Sequence, residues 1–447
     1  MTATRVVILG GGFAGVATAR ALERVGKKRV AITVVSRENF MLFTPMLPEV
    51  AAGSIEARDI MQPLRAAVHR RTNGTGSSDF ELGEAIGVDL GARAVTIRHP
   101  ITHDSKCIEY DELVLALGAT DSTMGVPGVA KFALPLKTIA DAEIVRSRVV
   151  GALEVAAKTH DLQERDRLLR FVIIGGGFTG VELAGELQAF LGSILRYYPG
   201  IDPKQIDLLV LESSGGLLEH LPRKFGRYAA AVLTRRGAKL LLHEEVSAVD
   251  SRGVELKGGK RIASGTILWA AGTKPSLLAA QLGLKTNEHG AIETGGDFTV
   301  TGAPHVWALG DCAAVPKPGG GTYAPLAQNA IREGALLARN IVGRIRGKAT
   351  CNFRYRELGQ MASLGNRTAV AEMPGGHMLT GRAAWIIWRG YYLSRIPGFA
   401  DKTRVALDWT LGLAFPPQTS RLPMVENGET SFAQQDVHES KAHAARR

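Results

Sequence analysis

The chain is poor in the residues that tie a protein to an oxidising compartment. It holds three cysteines in 447 residues, Cys107, Cys312 and Cys351. An odd number, widely scattered, excludes a disulfide framework and fits a reducing cytoplasm. No apolar run reaches the roughly 18 to 20 residues that a spanning helix requires, so no bilayer crossing is expected. The N-terminus enters an apolar run within six residues, without the charged region or cleavage site of a secretory leader. The histidines, His220 and His243 among them, show no ligand spacing, so no metal site is read. Acidic residues are outnumbered: 43 Asp and Glu against 54 Lys and Arg leave a formal charge of +11. That excess favours an anionic partner. No nucleic-acid motif accompanies it, which leaves a lipid surface as the candidate.

Glycine, by contrast, is arranged with a pattern. "VVILGGGFAGVATARALE", Val6 to Glu23, returns as "FVIIGGGFTGVELAGELQ", Phe171 to Gln188. Each copy reads as a buried strand, a glycine turn and a helix of small and apolar residues. Gly10, Gly12 and Gly15 fit G-x-G-x-x-G, and Gly175, Gly177 and Gly180 fit it again. The first glycine of such a turn permits a tight bend, the second lets backbone N–H groups approach a diphosphate, and the third lets helix pack on strand. The diphosphate then lies at the positive end of a helix. Two copies in the same local context point to two dinucleotide sites.

The ribose of a dinucleotide calls for an acceptor about 20 residues beyond the glycines. In the second unit the run Ile206 to Leu211 ends at Glu212, a carboxylate that repels a 2′-phosphate and so predicts NADH over NADPH. In the first unit that place falls to Ser36, with Arg37 and Glu38 beside it. A serine is the weaker acceptor, and Arg37 could hold a 2′-phosphate, so the first nucleotide is not fixed by this turn alone.

Further on, strands are expected around Phe80–Asp89 and Ala94–His99, and "CIEYDELVLALGA" reads as one buried strand ending at Gly118. "GAPHVWALGDCAAV" places Asp311 after another buried strand, and "APLAQNAIREGALLARNI" opens a helix. In this order the sequence resembles the two-dinucleotide-binding flavoproteins, in which an N-terminal unit binds FAD and a nested unit binds NAD(P)H. The resemblance implies that Asp311 holds the FAD ribityl chain, that Gly118 approaches the flavin, and that Gly272 in "ILWAAGTKP" does the same for the second site. With Gly10, Gly12, Phe13, Ala14, Gly15, Ser36 and Arg37 these form the expected FAD and NAD contacts.

The stretch "NFMLFTPMLPEVAAG", where the disulfide reductases of that superfamily carry a cysteine pair, has no cysteine. No pair suited to a sulfide:quinone oxidoreductase is visible either. The stretch resembles that of the type II, or alternative, NADH:quinone oxidoreductases, and the likeness places Thr44 and Pro45 beside the isoalloxazine. "GGGFTGVELAGEL" is similar to the same family's second glycine unit, which gives Glu182 a catalytic place near the nicotinamide and flavin. "LAQNAIREG" matches its helix start, putting Ala327 and Gln328 at the flavin and the quinone. Arg332 and Glu333 replace the family's glutamine pair, a departure that bears on the acceptor. They are expected at the quinone pocket.

From "LTGRAAWIIWRGYYLSRIPGFADKTRVALDWTLGLAF" onward the chain resembles the family's membrane-binding end. Trp385, Trp388 and Tyr392 share one helical face by spacing, with Arg382 and Arg389 adjoining. Aromatic rings flanked by cations describe a helix lying in a membrane interface. The expected fold is therefore α/β, with two Rossmann-like dinucleotide-binding domains and a small C-terminal β/helical region that associates with membranes. The boundaries read as 1–145 and 291–346 for FAD, 146–290 for NADH, 347–422 for the membrane region and 423–447 for a disordered tail. The expected activity is hydride transfer from NADH to FAD and two-electron transfer to a membrane quinone, without proton pumping, on the cytoplasmic membrane face. A homodimer is left open, and so are two rival readings: a soluble NADH-dependent flavoprotein reductase of another acceptor, and a slow NADH-sensing flavoprotein.

Overall fold

The structure, a computed structural model, describes residues 3–68, 77–276, 278, 281–356, 359–373, 375–396, 398–417 and 419–421. The tail expected at 423–447 lies outside them. The chain forms two compact units: 1–42, 61–120 and 273–357 make one, and 43–60, 121–272 and 358–447 the other. The changeovers between them fall at 42/43, 60/61, 120/121, 272/273 and 357/358.

In the first unit five parallel strands lie in the order Val306–Ala308, Glu112–Leu115, Thr4–Leu9, Val30–Ser36, Ser77–Leu82. Alternation along Thr4–Leu9 decides what covers each face. Val6 and Ile8 join Leu22, Leu337 and Ile341 beneath the helices Phe13–Gly26 and Ala327–Ile345. Val7 and Leu9 join Val95, Ile97 and Tyr110 on the opposite face. The one strand expected to end at Gly118 is two: Ser105–Glu109 belongs to a three-stranded antiparallel sheet, and Glu112–Leu115 to the parallel one. The break is held at both of its residues. Tyr110 is sunk in the core, and Asp111 accepts the Arg5 backbone N–H at 2.7 Å.

The second unit repeats the plan with Leu134–Pro135, Thr266–Trp269, Arg170–Ile174, Asp207–Glu212 and Lys239–Leu242, again all parallel. Its C-terminal part has three short antiparallel strands, Met361–Ser363, Ala369–Met373 and His377–Thr380. The helices Gly381–Arg395 and Phe399–Leu411 follow.

These helices correct the face expected to meet lipid. The aromatic stripe points inward: Trp388 is 1% exposed and Trp409 is buried, while Tyr392 meets the Phe43 ring edge-on at 5.9 Å. The spacing of Trp385, Trp388 and Tyr392 marks a stripe turned to the body, with Trp388 buried and Trp385 and Tyr392 half-buried, because packing large rings against protein outweighs placing them in an interface. Ile386, Ile387, Phe399, Leu407, Leu411, Leu413 and Phe415 are the exposed apolar residues.

Candidate functional site

The two glycine turns superpose in their bonding. Gly10 N–H donates to the Val35 carbonyl and Gly175 N–H to that of Leu211, each at 2.8 Å. Gly10 has φ +121° and Gly175 +111°, and a Cβ on Gly10 would lie 2.1 Å from the Ala116 carbonyl oxygen. A Cβ on Gly15 or Gly180 would lie 1.9 Å from the oxygen of Gly10 or Gly175, so helix and strand touch there. Gly12 and Gly177 differ: a Cβ at either meets nothing within 4 Å. The middle glycine of each turn thus faces open space at a helix N-terminus, which is the room a diphosphate needs. Both cradles fit the group that the sequence assigns to them.

Beneath each loop sits the residue expected at the ribose. Ser36 Oγ lies under Gly11, and a carboxylate oxygen of Glu212 under Gly176. Glu212 accepts N–H bonds from Gly176 at 2.5 Å and Ser214 at 2.7 Å. Burial pushes its pKa up, but the Ser214 and Gly176 bonds outweigh that and hold the carboxyl below its usual range. It is therefore an anion at neutral pH. Arg37 is exposed beside Ser36.

In the first unit a cavity of about 180 Å³ is lined by Ala119, Lys274, Gly310, Asp311, Tyr323 and Glu333, among others. Asp311 sits in the Gly310–Cys312 turn immediately after the edge strand. Glu333 is 3% exposed and accepts the Gly310 N–H at 2.8 Å; burial, and then the Asp311 charge, push its pKa up to about 7. Arg332 turns elsewhere. Its guanidinium lies 4.3 Å from the Tyr355 ring centre and donates to the Gln328 carbonyl, while the Gln328 side-chain oxygen accepts the Tyr355 hydroxyl at 3.3 Å. The structure thus separates Arg332 from Glu333, and Glu333 sits with Asp311. Ala327 begins its helix as expected, and Gly118 stands at φ +66° with open space where a Cβ would be.

In the second unit Thr44 and Pro45 form a short turn ahead of the Leu47–Ala51 helix. Gly272, at φ +83°, abuts the Met124 side chain. Glu182, on the Phe178–Ile194 helix, is 7% exposed and accepts the Ser363 N–H at 3.0 Å. Burial pushes its pKa up to about 8. Two further buried carboxyls, Glu49 and Glu186, belong to the same cluster, and sequence reasoning passed over both. Glu186 carries a readable signal: it stands four residues from Glu182 on an otherwise apolar helix, and so on the same face. Glu49 carries none, since "LPEVA" is too short to define a face.

The thiols complete the picture. Cys107 and Cys351 are exposed and Cys312 is buried, all three unbonded. Cys312 donates to the Leu309 and Leu115 carbonyls, and burial pushes its thiol up to about 12, which leaves it a small apolar filler.

Comparison with known proteins agrees with this geometry. Residues 4–334 match the pyridine nucleotide-disulphide oxidoreductase family, and 358–413 match the NDH2 C-terminal domain. A type II NADH:quinone oxidoreductase of Mycobacterium tuberculosis is 32% identical over 419 residues, spanning 91% of this chain and 87% of that protein. The chain belongs to the type II NADH:quinone oxidoreductases. Another similar member is an external mitochondrial NADH-ubiquinone oxidoreductase of Saccharomyces cerevisiae, 29% identical across 91% of this chain and 80% of its own length. The fold is that of NDH2 from Plasmodium falciparum, solved in complex with NADH: TM-score 0.86 at 20% identity, with 93% of this chain and 99% of that one covered. Among the described residues no helix is long and apolar enough to cross a membrane.

Proposed function

We propose that this chain oxidises NADH with a membrane quinone, FAD being held by the first unit and NADH by the second. The observation that supports it is a duplicated, open glycine cradle in a chain with no cysteine in the Phe43–Ile60 segment. Such a chain offers two nucleotides a seat and offers electrons no dithiol. FAD, when bound, supplies the two-electron relay between a hydride donor and a quinone. The chain's own groups bind and orient. Gly10, Gly12, Phe13, Ala14 and Gly15 would seat the FAD diphosphate, Ser36 and Arg37 its adenosine ribose, and Asp311 its ribityl hydroxyls. Gly118, Thr44, Pro45 and Ala327 would border its ring. Gly175, Gly177 and Gly180 would seat the NADH diphosphate, Glu212 would accept from the ribose hydroxyls, and Gly272 and Glu182 would face the nicotinamide. Gln328, at the first turn of its helix, would present the positive helix end to the electron-rich edge of the cofactor and to the quinone. Arg332 acts through Gln328 by holding its carbonyl, and Glu333 acts on the FAD side of the site rather than on the quinone.

The exposed apolar residues of the last two helices would carry the membrane contact. Phe399 is 86% and Ile386 62% exposed, flanked by Arg382, Arg395, Lys402 and Arg404. Each such side chain gains about 1.5–3 kcal/mol on full burial, and the cations add attraction to anionic lipid that salt weakens. The chain would then lie peripherally at the cytoplasmic face. Steady-state NADH oxidation by FAD-loaded protein with a short-chain quinone tests this function: fast turnover sustains it, while reduction of bound flavin by NADH without quinone turnover favours the sensing alternative.

A further inference from the structure

The cavity of the first unit has in its wall a buried acceptor that no group among the described residues meets. Asn329, on the Ala327–Ile345 helix, lines that cavity and is 1% exposed. Its carboxamide Nδ2 donates to the Ala324 carbonyl at 2.9 Å. That bond fixes which way the amide is turned, because the opposite orientation would set two acceptor oxygens against each other. The remaining oxygen, Oδ1, is left buried without a partner. Burying an unmet acceptor is costly, and folded proteins almost always meet it. The Ala324 carbonyl does not depend on Asn329, since it also accepts the Leu326 N–H at 2.8 Å.

The surroundings say what kind of group would meet it. Gly310, in the same wall, is pressed against two helices: a Cβ there would lie 3.1 Å from the Ala14 Cβ and 3.7 Å from that of Ala330. Ala14 is in the first turn of the Phe13–Gly26 helix, directly after the open glycine cradle. The cavity therefore adjoins the seat of the FAD diphosphate. Asp311 and Glu333 lie in its wall with Asn329, and Lys274 lines it too. A wall bearing several acceptor side chains selects a ligand that brings donors. Between its diphosphate and its ring, FAD carries a ribityl chain, which is a row of O–H donors. The oxidised ring itself offers a single N–H among several acceptors.

Resting on the assignment of FAD to the first unit, we propose that Asn329 is an FAD-binding residue whose Oδ1 accepts a hydrogen bond from a ribityl hydroxyl. The Ala324 carbonyl holds the amide in place, so the acceptor is set before the cofactor arrives and loses little freedom on binding. The bond serves retention of the cofactor, not hydride transfer.

The test compares wild type with Asn329→Leu. FAD dissociation from the holoprotein is followed by the rise of free-flavin fluorescence, and Kd by titrating FAD back into stripped protein. Leucine keeps the branched shape of asparagine without its polar atoms, and leaves Ala324 paired with Leu326. The flavin-free variant is therefore expected to melt no lower than flavin-free wild type, while its Kd for FAD rises by about tenfold. Kd is then measured with FAD analogues that each lack one ribityl hydroxyl. The analogue without the hydroxyl that bonds Asn329 is expected to bind wild type about tenfold more weakly than FAD does, and to bind the variant as FAD does. The other analogues cost both proteins alike. A role in helix packing alone would not produce that coupling. Should Asn329→Leu not fold, Asn329→Ala carries the same comparison. An unchanged Kd, or analogues that all cost variant and wild type alike, would overturn the proposal, the Oδ1 then being met by water. Coupling to an N3-methylated flavin in place of a deoxy analogue would overturn it too. A wild-type protein that takes up no FAD would instead remove the cofactor assignment on which it rests, and the proposal with it.

Discussion

At the scale of single residues, two neighbouring glycines separate binding from folding. Gly177 faces open space, whereas a Cβ on Gly180 would lie 1.9 Å from the Gly175 oxygen. Gly177→Ala is expected to keep the wild-type melting temperature and raise the KM for NADH by roughly tenfold, because the methyl enters the diphosphate's room. Gly180→Ala forces helix and strand apart and lowers the melting temperature. Differential scanning fluorimetry alongside steady-state kinetics reads both. Glu212 gives a second residue-scale test. An anion held by the Gly176 and Ser214 N–H groups repels a 2′-phosphate, so Glu212→Gln is expected to raise the NADPH-to-NADH ratio of kcat/KM by about tenfold, or about 1.4 kcal/mol. An unchanged ratio would show that this carboxylate does not face the ribose.

At the scale of elements, the last two helices have faces with opposite tasks. Trp388→Ala removes a fully buried ring and is expected to cost about 3–5 kcal/mol of stability. The pair Ile386→Asp and Leu407→Asp alters exposed positions, and is expected to leave stability within about 0.5 kcal/mol while reducing binding to anionic vesicles. Sedimentation with such vesicles, and the salt dependence of the bound fraction, separates the two. The Phe399–Leu411 helix also rests on an acid pair: Asp408 accepts the Glu56 N–H at 3.2 Å, and burial first, then its contact with Asp408, pushes Asp59 up to about 6. A folded-state pKa raised above the unfolded one gives stability that is complete at low pH and lost as pH rises through the folded value. The helix should therefore exchange its amides faster at pH 8 than at pH 5, after correction for intrinsic exchange, and Asp59→Asn should flatten that difference.

The same elements show what a sequence can and cannot display. Gly10, Gly12 and Gly15 and their repeats were legible because a diphosphate cradle is local: strand, turn and helix lie within about 15 residues and obey one steric rule. Glu212 was legible for the same reason. The orientation of the C-terminal helices was not. Trp385, Trp388 and Tyr392 announce an aromatic stripe, but whether it meets lipid or protein depends on Phe43 and Glu49, more than 300 positions away in the chain. Of the Glu49, Glu186 and Arg389 cluster only Glu186 was legible, four residues from Glu182 on an apolar helix; Glu49 and Arg389 look like ordinary surface charges until three elements enclose them. Arg332 and Glu333, adjacent in sequence, part company because neighbours on a helix point about 100° apart.

For the whole molecule, the repeated plan is the central fact. Two five-stranded parallel sheets each present a glycine cradle at the end of a central strand, and ligands in open α/β sheets bind at that end. One chain thereby offers seats to a hydride donor and to a redox cofactor, and it belongs to a family of NADH:quinone oxidoreductases. Anaerobic stopped-flow mixing tests this most directly: FAD-loaded protein is mixed with NADH, and then with a short-chain quinone. The flavin absorbance is expected to bleach on the first mixing and to recover on the second, with one quinol formed per NADH. A flavin that stays yellow with NADH, or that bleaches and is not reoxidised by quinone, would contradict it.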